Sequence, residues 1–311
     1  MAFDSVGARI MNTFVGKYLH KPLIIGIIEV GREPNCLALA VHGSVACVCN
    51  TRDSTLSLID TDAIRVSAVI ALPIRPLAVV IDSTGTRAYV TGLGKPLVVV
   101  VDIPTRTIID EIAASEGYAL TLNAEGDRGY INSNRQMCVV DTSGAKQLER
   151  IDAGSLTSAA VLGHDGRLFF CDYPHHELKA MNTANGEIAT VLSLPEPFEE
   201  IALDPAGDFG YVPYRTTEGV VAKIDLASYD VVDLLPIPAL PHGFTLSADG
   251  GLACCCSAAE RNVSLIDTET WQVISRFKAG QYPQGPVFSV DGRRLYICDS
   301  CGDAVWVIAL G

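Results

Sequence analysis

The sequence predicts an all-β protein, a seven-bladed β-propeller of four-stranded antiparallel blades, with the N-terminal strand completing the last blade. Three observations predict it. An eleven-residue block ending in glycine recurs seven times, beginning at Glu33, Arg75, Glu116, Leu156, Pro197, Leu240 and Tyr282. The start-to-start spacings are 42, 41, 40, 41, 43 and 42 residues, the length of a small sheet of four short strands with its turns. The seventh unit stops after its third strand, VWVIAL, and the missing strand is supplied by IIGIIEVGR from Ile24. That stretch holds the nine positions before the first block, as VSAVIALPI does before the second. Pairing the two ends in one blade removes two open sheet edges.

Each element of the unit has its own signal. The block reads as the first strand and a glycine turn, as in RPLAVVIDSTG from Arg75. A second short strand follows, RAYVTG from Arg87 or RLYICD from Arg294, and then a polar loop. The third strand ends on an acidic residue at Asp60, Asp102, Asp141, Asp225 and Asp267, a position where Asp favours a turn. A fourth strand closes the unit. The expected organisation is an N-terminal extension over residues 1–20 and a propeller over 21–311. In the extension Phe3, Val6, Ile10, Phe14 and Tyr18 recur at the spacing of one helix face. That face suits packing on the propeller, a cap over the channel, or a contact between copies in a homo-oligomer.

Composition narrows the function. Nearly half the residues are hydrophobic and 19% are charged, which suits a large core rather than disorder. With 23 basic and 36 acidic residues the net charge is 23 − 36 = −13, a surface that repels nucleic-acid phosphates. No apolar run reaches the roughly 20 residues that span a bilayer, and the start lacks the pattern of a secretory signal. Ten cysteines that include the run Cys254, Cys255 and Cys256 cannot form a local disulfide framework, because neighbours on a strand point to opposite faces. They read as small buried hydrophobes in a reducing, cytoplasmic compartment. Cys298 and Cys301 have Cys-x-x-Cys spacing but lack a second pair and a strand-to-helix context.

The second-strand segments RAYVTG, GYINSN from Gly129 and RLYICD resemble the YVTN repeat, as does the following turn in LIDTETWQVISRF from Leu265. The resemblance runs from about Leu23 to the end of the chain and implies the propeller fold. YVTN-type propellers include surface-layer proteins, redox-enzyme subunits and lactonase-like proteins, and the overall organisation is similar to that of virginiamycin B lyase. No stretch here carries that enzyme's metal-binding and catalytic motif, so no residue roles are transferred from it.

Topology locates a candidate site. The first strand of each blade lines the axis, and position three of each block falls at one rim of the channel. That column reads Asn35, Leu77, Tyr118, Ser158, Glu199, His242 and Gln284. Counting along the chain, the second strands end at the same rim on Asn50, Gly92, Ser133, Tyr173, Tyr214, Ser257 and Asp299. The richest sector adds Asp172, His175, His176, Glu200 and Arg215. His242 suits a general base, since imidazole titrates near neutrality. Glu199, one blade away, would orient it or act as the acid, with Tyr214 as a third catalytic group. Tyr118, Tyr173, Arg215, Asp172, Asn35, Gln284 and Asp299 would hold the substrate. The donors of Glu199, His242 and Asp172 also suit a divalent metal ion; no other cofactor has a motif here. The expected function is acid–base chemistry on a small organic molecule, as in a lactonase-like hydrolase, a lyase or an isomerase/cyclase. The alternative is a non-catalytic propeller that grips a ligand or protein at the same rim.

Overall fold

A computed structural model of the protein describes residues 21–310 apart from 134 and 154–156, so the helix expected in residues 1–20 lies outside the described residues. The chain forms seven four-stranded antiparallel sheets. Blade 1 comprises Pro34–Leu39, Val45–Asn50, Thr55–Asp60 and Arg65–Ala71, hydrogen-bonded in that order. Blades 2 to 6 begin at Arg75–Ile81, Ala119–Leu122, Thr157–Leu162, Ala202–Leu203 and Pro241–Leu246. Blade 7 is built from Pro283–Phe288, Arg294–Asp299 and Ala304–Ala309, and its outer strand is Leu23–Glu29 from the other end of the chain. The two ends pair antiparallel from Leu23 opposite Ala309 to Glu29 opposite Ala304. The ring is closed as the incomplete seventh unit requires.

The repeated residues now have causes. All seven block-ending glycines, Gly43, Gly85, Gly126, Gly166, Gly207, Gly250 and Gly292, have φ between 68° and 78°, a left-handed backbone that strains other residues. The acidic residue ending the third strand is a turn anchor. Asp60, Asp102, Asp141, Asp225 and Asp267 each accept backbone N–H bonds from residues two or three further on, at 2.7–3.1 Å. The threonine that follows ties this turn to the glycine turn on the same end of the disc. Thr61, Thr142 and Thr268 donate to the carbonyls of Gly43, Gly126 and Gly250, each at 2.5 Å. These aspartates therefore belong to the end of the disc away from the predicted rim.

Hydrophobic side chains fill the wedges between blades. Cys254 and Cys256 pack with Leu295 and Ile297 of blade 7, while Cys255, between them, packs with Tyr211 and Val221 of blade 5. Consecutive cysteines thus serve opposite faces of one sheet. Cys298 is buried and Cys301 exposed, and both are free thiols. Burial pushes the Cys298 thiol well above its ordinary range, which disfavours the thiolate that metal or redox chemistry uses.

Blade 4 departs from the count made along the sequence. In six blades the bond closing the first hairpin spans five residues, as in Ala40 N–H to Val45 O or Ser289 N–H to Arg294 O. In blade 4 it runs from Gly163 to Arg167 and spans four. The shorter turn shifts the second strand by one residue. Asp172, opposite Thr157, takes the place that Asn50 takes opposite Pro34 and Asp299 opposite Pro283. Tyr173 begins a short 3-10 turn, Tyr173–His175, instead of ending the strand.

Closure and turn chemistry each have a test. Ile28 of the closing strand is 4% exposed in the core between blades 7 and 1. Ile28→Ala is expected to cost about 2–5 kcal/mol in urea unfolding, whereas Val69→Ala on an exposed outer strand should change it by about 0.5 kcal/mol or less. The turn aspartates predict a pH dependence. The side-chain bond from Thr105 lowers the Asp102 pKa below its ordinary 3.8, and backbone bonds from Gly144 and Ser228 do the same for Asp141 and Asp225. A carboxylate with a depressed folded pKa stabilises fully above its unfolded value and loses that contribution as pH falls through the folded one. Resistance to urea should therefore decline as pH drops below 3.8, and Asp→Asn at these three positions should flatten the decline.

Candidate active site

The inner strands of blades 6, 7 and 1 bring His242, Gln284 and Asn35, and the segment before the inner strand of blade 5 brings Glu199, onto one arc of the rim. The arc is hydrogen-bonded in a single direction. Thr51 donates its hydroxyl to the Pro76 carbonyl at 2.6 Å, and the Asn35 amide donates to Thr51 Oγ1 at 2.7 Å. Gln284 donates through Nε2 to Asn35 Oδ1 and to the Pro34 carbonyl, the latter at 3.2 Å. Its donors being engaged there, its Oε1 faces His242 Nε2 at 3.1 Å. The histidine must therefore donate from Nε2, and in the neutral ring Nδ1 is left as the basic nitrogen.

Nδ1 faces blade 5. Glu199 Oε2 lies 3.9 Å away and Glu200 Oε1 3.8 Å, both beyond direct hydrogen-bonding reach. Glu200 is the brace of this sector: its two oxygens accept the N–H groups of Gly243 and Phe244 at 2.9 and 2.8 Å. Gly243 has φ +88°, and a Cβ there would stand 2.7 Å from Pro286 Cδ. The glycine after His242 thus allows both the bulged backbone and the close approach of blade 7. Glu199 Oε1 holds Arg215 Nη1 at 2.5 Å. Burial pulls the Arg215 pKa down, but the bond and charge of Glu199 and the nearby Tyr282 and Tyr173 outweigh it and hold the guanidinium charged. The Tyr282 and His242 rings meet edge to face, 6.1 Å between centroids.

Several predicted site residues do other work. Asp299 is 3% exposed and accepts the N–H groups of Gln281, Tyr282 and Gly302 at 2.9, 2.9 and 3.1 Å. Its Oδ1 is a turn anchor directed into the scaffold. Tyr214, expected as a third catalytic group, is 5% exposed and packs with Phe198, Val212 and Leu178 between blades 4 and 5. Burial also raises its phenol pKa. Asp172 is fully buried, its carboxylate held by Lys179 Nζ at 2.5 Å and His175 Nδ1 at 2.9 Å. Among the described residues no group of three or more His, Cys, Asp or Glu is placed to hold a metal ion, so the expected Glu199, His242 and Asp172 set does not form a ligand cluster. Tyr118 is 43% exposed. The side chain of Ser158 lies outside the described residues. Sequence reasoning missed Thr51, Tyr282 and Lys179. Glycine straight after His242 and Gln284 was the available signal that these two positions are bulged.

No family model matches the chain. It is 29% identical over 191 residues to a protein of Salmonella typhimurium named YncE and described as uncharacterized, covering 57% of this chain and 53% of that protein. It is 30% identical over 222 residues to YncE of Escherichia coli K12, covering 65% of this chain and 62% of that protein. The matched region is thus between about half and three-fifths of those relatives' length. Among solved structures it is similar to a chain of Kuenenia stuttgartiensis hydrazine synthase, with TM-score 0.79, 16% identity, and coverage of 89% of this chain and 95% of that one. At that identity the likeness is one of fold.

The arc makes a spectroscopic prediction. In nitrogen-15 spectra, neutral His242 should show the Nε2–H tautomer, and Gln284→Ala should move it towards a mixture of the two. An unchanged tautomer in the variant would remove Gln284 as the orienting group.

Proposed function

We propose that the rim between blades 5 and 7 binds a small organic molecule and performs acid–base chemistry on it, with His242 moving the proton. The observation that carries this reading is the orientation of His242: Nε2 is committed to Gln284 and Nδ1 is directed at the Glu199 and Glu200 carboxylates. A proton taken up at Nδ1 would face the Glu199 and Glu200 carboxylates, 3.9 and 3.8 Å away. Glu199 positions Arg215, whose guanidinium can meet a substrate carboxylate or a developing oxyanion. Tyr173 and Tyr282 flank it. Hydrolysis of a lactone, elimination, and isomerisation or cyclisation all use this set, and each begins with proton removal from water or from carbon.

The test is to follow a panel of small lactones, hydroxy acids and unsaturated acids by proton NMR, with the unaltered protein and with His242→Ala. Turnover is expected from the first and a loss of at least about a hundredfold from the second, with the same urea midpoint in both. Equal turnover by the variant would sink the proposal. The non-catalytic alternative uses the same rim and predicts binding without turnover in either protein.

A further inference from the structure

Blades 1 to 6 set one residue at the same place in the turn after their third strand, four positions past the strand's last residue. These are Ile64, Arg106, Ala145, Gly186, Tyr229 and Trp271. Five of them carry a side chain to the blade before. Ile64 packs over Gly26 of blade 7, and Arg106 Nη1 donates to the Ser67 carbonyl of blade 1 at 3.1 Å. Ala145 packs on the core shared with blade 2. The Tyr229 hydroxyl accepts from Arg167 Nη1 of blade 4, and Trp271 meets Tyr211 of blade 5 with ring centroids 5.4 Å apart. Gly186 has no side chain to send across. The backbone does not demand glycine at this place, since the other five residues hold φ between 49° and 62°. The seam between blades 3 and 4 is left as a cleft of about 460 Å³, whose lining includes Arg128, Tyr130, Glu149, Ile151, Met181 and Gly186.

Arg128 is the counterpart of Arg167. Each closes the first hairpin of its blade, its carbonyl accepting the N–H of Asn123 or of Gly163. Arg167 donates to Asp165 and Tyr229; among the described residues no hydrogen bond or ion pair engages the Arg128 guanidinium. A cleft also remains beside Tyr229, but Phe169, the counterpart of Tyr130, does not line it. The missing ring of blade 4 thus opens the seam down to the buried Tyr130 and Met181. We propose that this cleft binds a small phenol. The ring takes the place that Tyr229 fills at the next seam, and the hydroxyl accepts a hydrogen bond from Arg128. The volume is that of a small-molecule site, and a guanidinium beside an aromatic ring adds a cation–π attraction. Glu149 in the same lining opposes an aromatic carboxylate and leaves a neutral hydroxyl favoured. The cleft lies at the glycine-turn end of the disc, away from the rim of His242, so it stands independently of the acid–base reading.

The test titrates 4-methylphenol, the tyrosine side chain as a free molecule, into the full chain and follows carbon-13 methyl NMR. The Ile151 and Met181 methyls should shift and saturate, with a dissociation constant on the order of 1 mM. Toluene, which lacks the hydroxyl, should bind about fivefold more weakly. Arg128→Ala, at an exposed position, should erase that difference between the two molecules. Gly186→Tyr fills the cleft as Tyr229 does and should abolish the saturable shifts of both probes. A Cβ at this position stands 3.2 Å from Ile151 Cδ1, so the side chain of Ile151 has to give way slightly. Should that variant not fold, the comparison made with Arg128→Ala decides alone. Shifts that stay linear with concentration overturn the proposal. So does equal affinity of the unaltered protein for 4-methylphenol and toluene, an undiminished difference in Arg128→Ala, or saturable shifts that persist in folded Gly186→Tyr.

Discussion

Pairing of Leu23–Glu29 with Ala304–Ala309 is the constraint on which the molecule depends. A fan of blades can open at any seam, but a closed ring cannot, and its first strands are forced together round one axis. The rim is then stitched from blade to blade. Gly117 donates to the Gly92 carbonyl, Ala159 to that of Glu199, and Glu200 accepts from blade 6. His242, Gln284, Asn35 and Thr51 carry the circuit on to Pro76 in blade 2. Asn35 and Gln284, at opposite ends of the chain, hydrogen-bond because the ring is shut.

The repeat was legible because it is driven by rules that act locally. A left-handed turn selects glycine, a side-chain-capped turn selects Asp, and a wedge packed on both faces selects alternating small and apolar residues. Each signal recurs at fixed spacing, so the number of blades and the swap of the last strand followed from counting. The rim column was legible for the same reason, since Glu199, His242, Gln284 and Asn35 share one position of the unit.

What was not legible depends on side-chain partners or on single-residue changes in length. The shortened turn at Gly163 moved Asp172 into the strand-end position and Tyr173 out of it, a shift invisible when blocks are aligned only up to their glycine. Asp299 and Tyr214 lie at the right height but turn into the scaffold, one towards three backbone N–H groups and the other into an apolar wedge. Position fixes height along the axis; only the neighbours decide which way a side chain faces.

That distinction separates the arc from the rest of the rim. A polar side chain placed for stability alone ends with its hydrogen-bonding capacity met by the scaffold, as Asp299 and Glu200 do. His242 is held firmly on one nitrogen while the other faces carboxylates too distant to bond directly. A chain of donors anchored on a backbone carbonyl holds the imidazole in one tautomer and fixes the direction of Nδ1. The proposed proton transfer would use that arrangement, because a basic nitrogen must be fixed in direction and still able to accept.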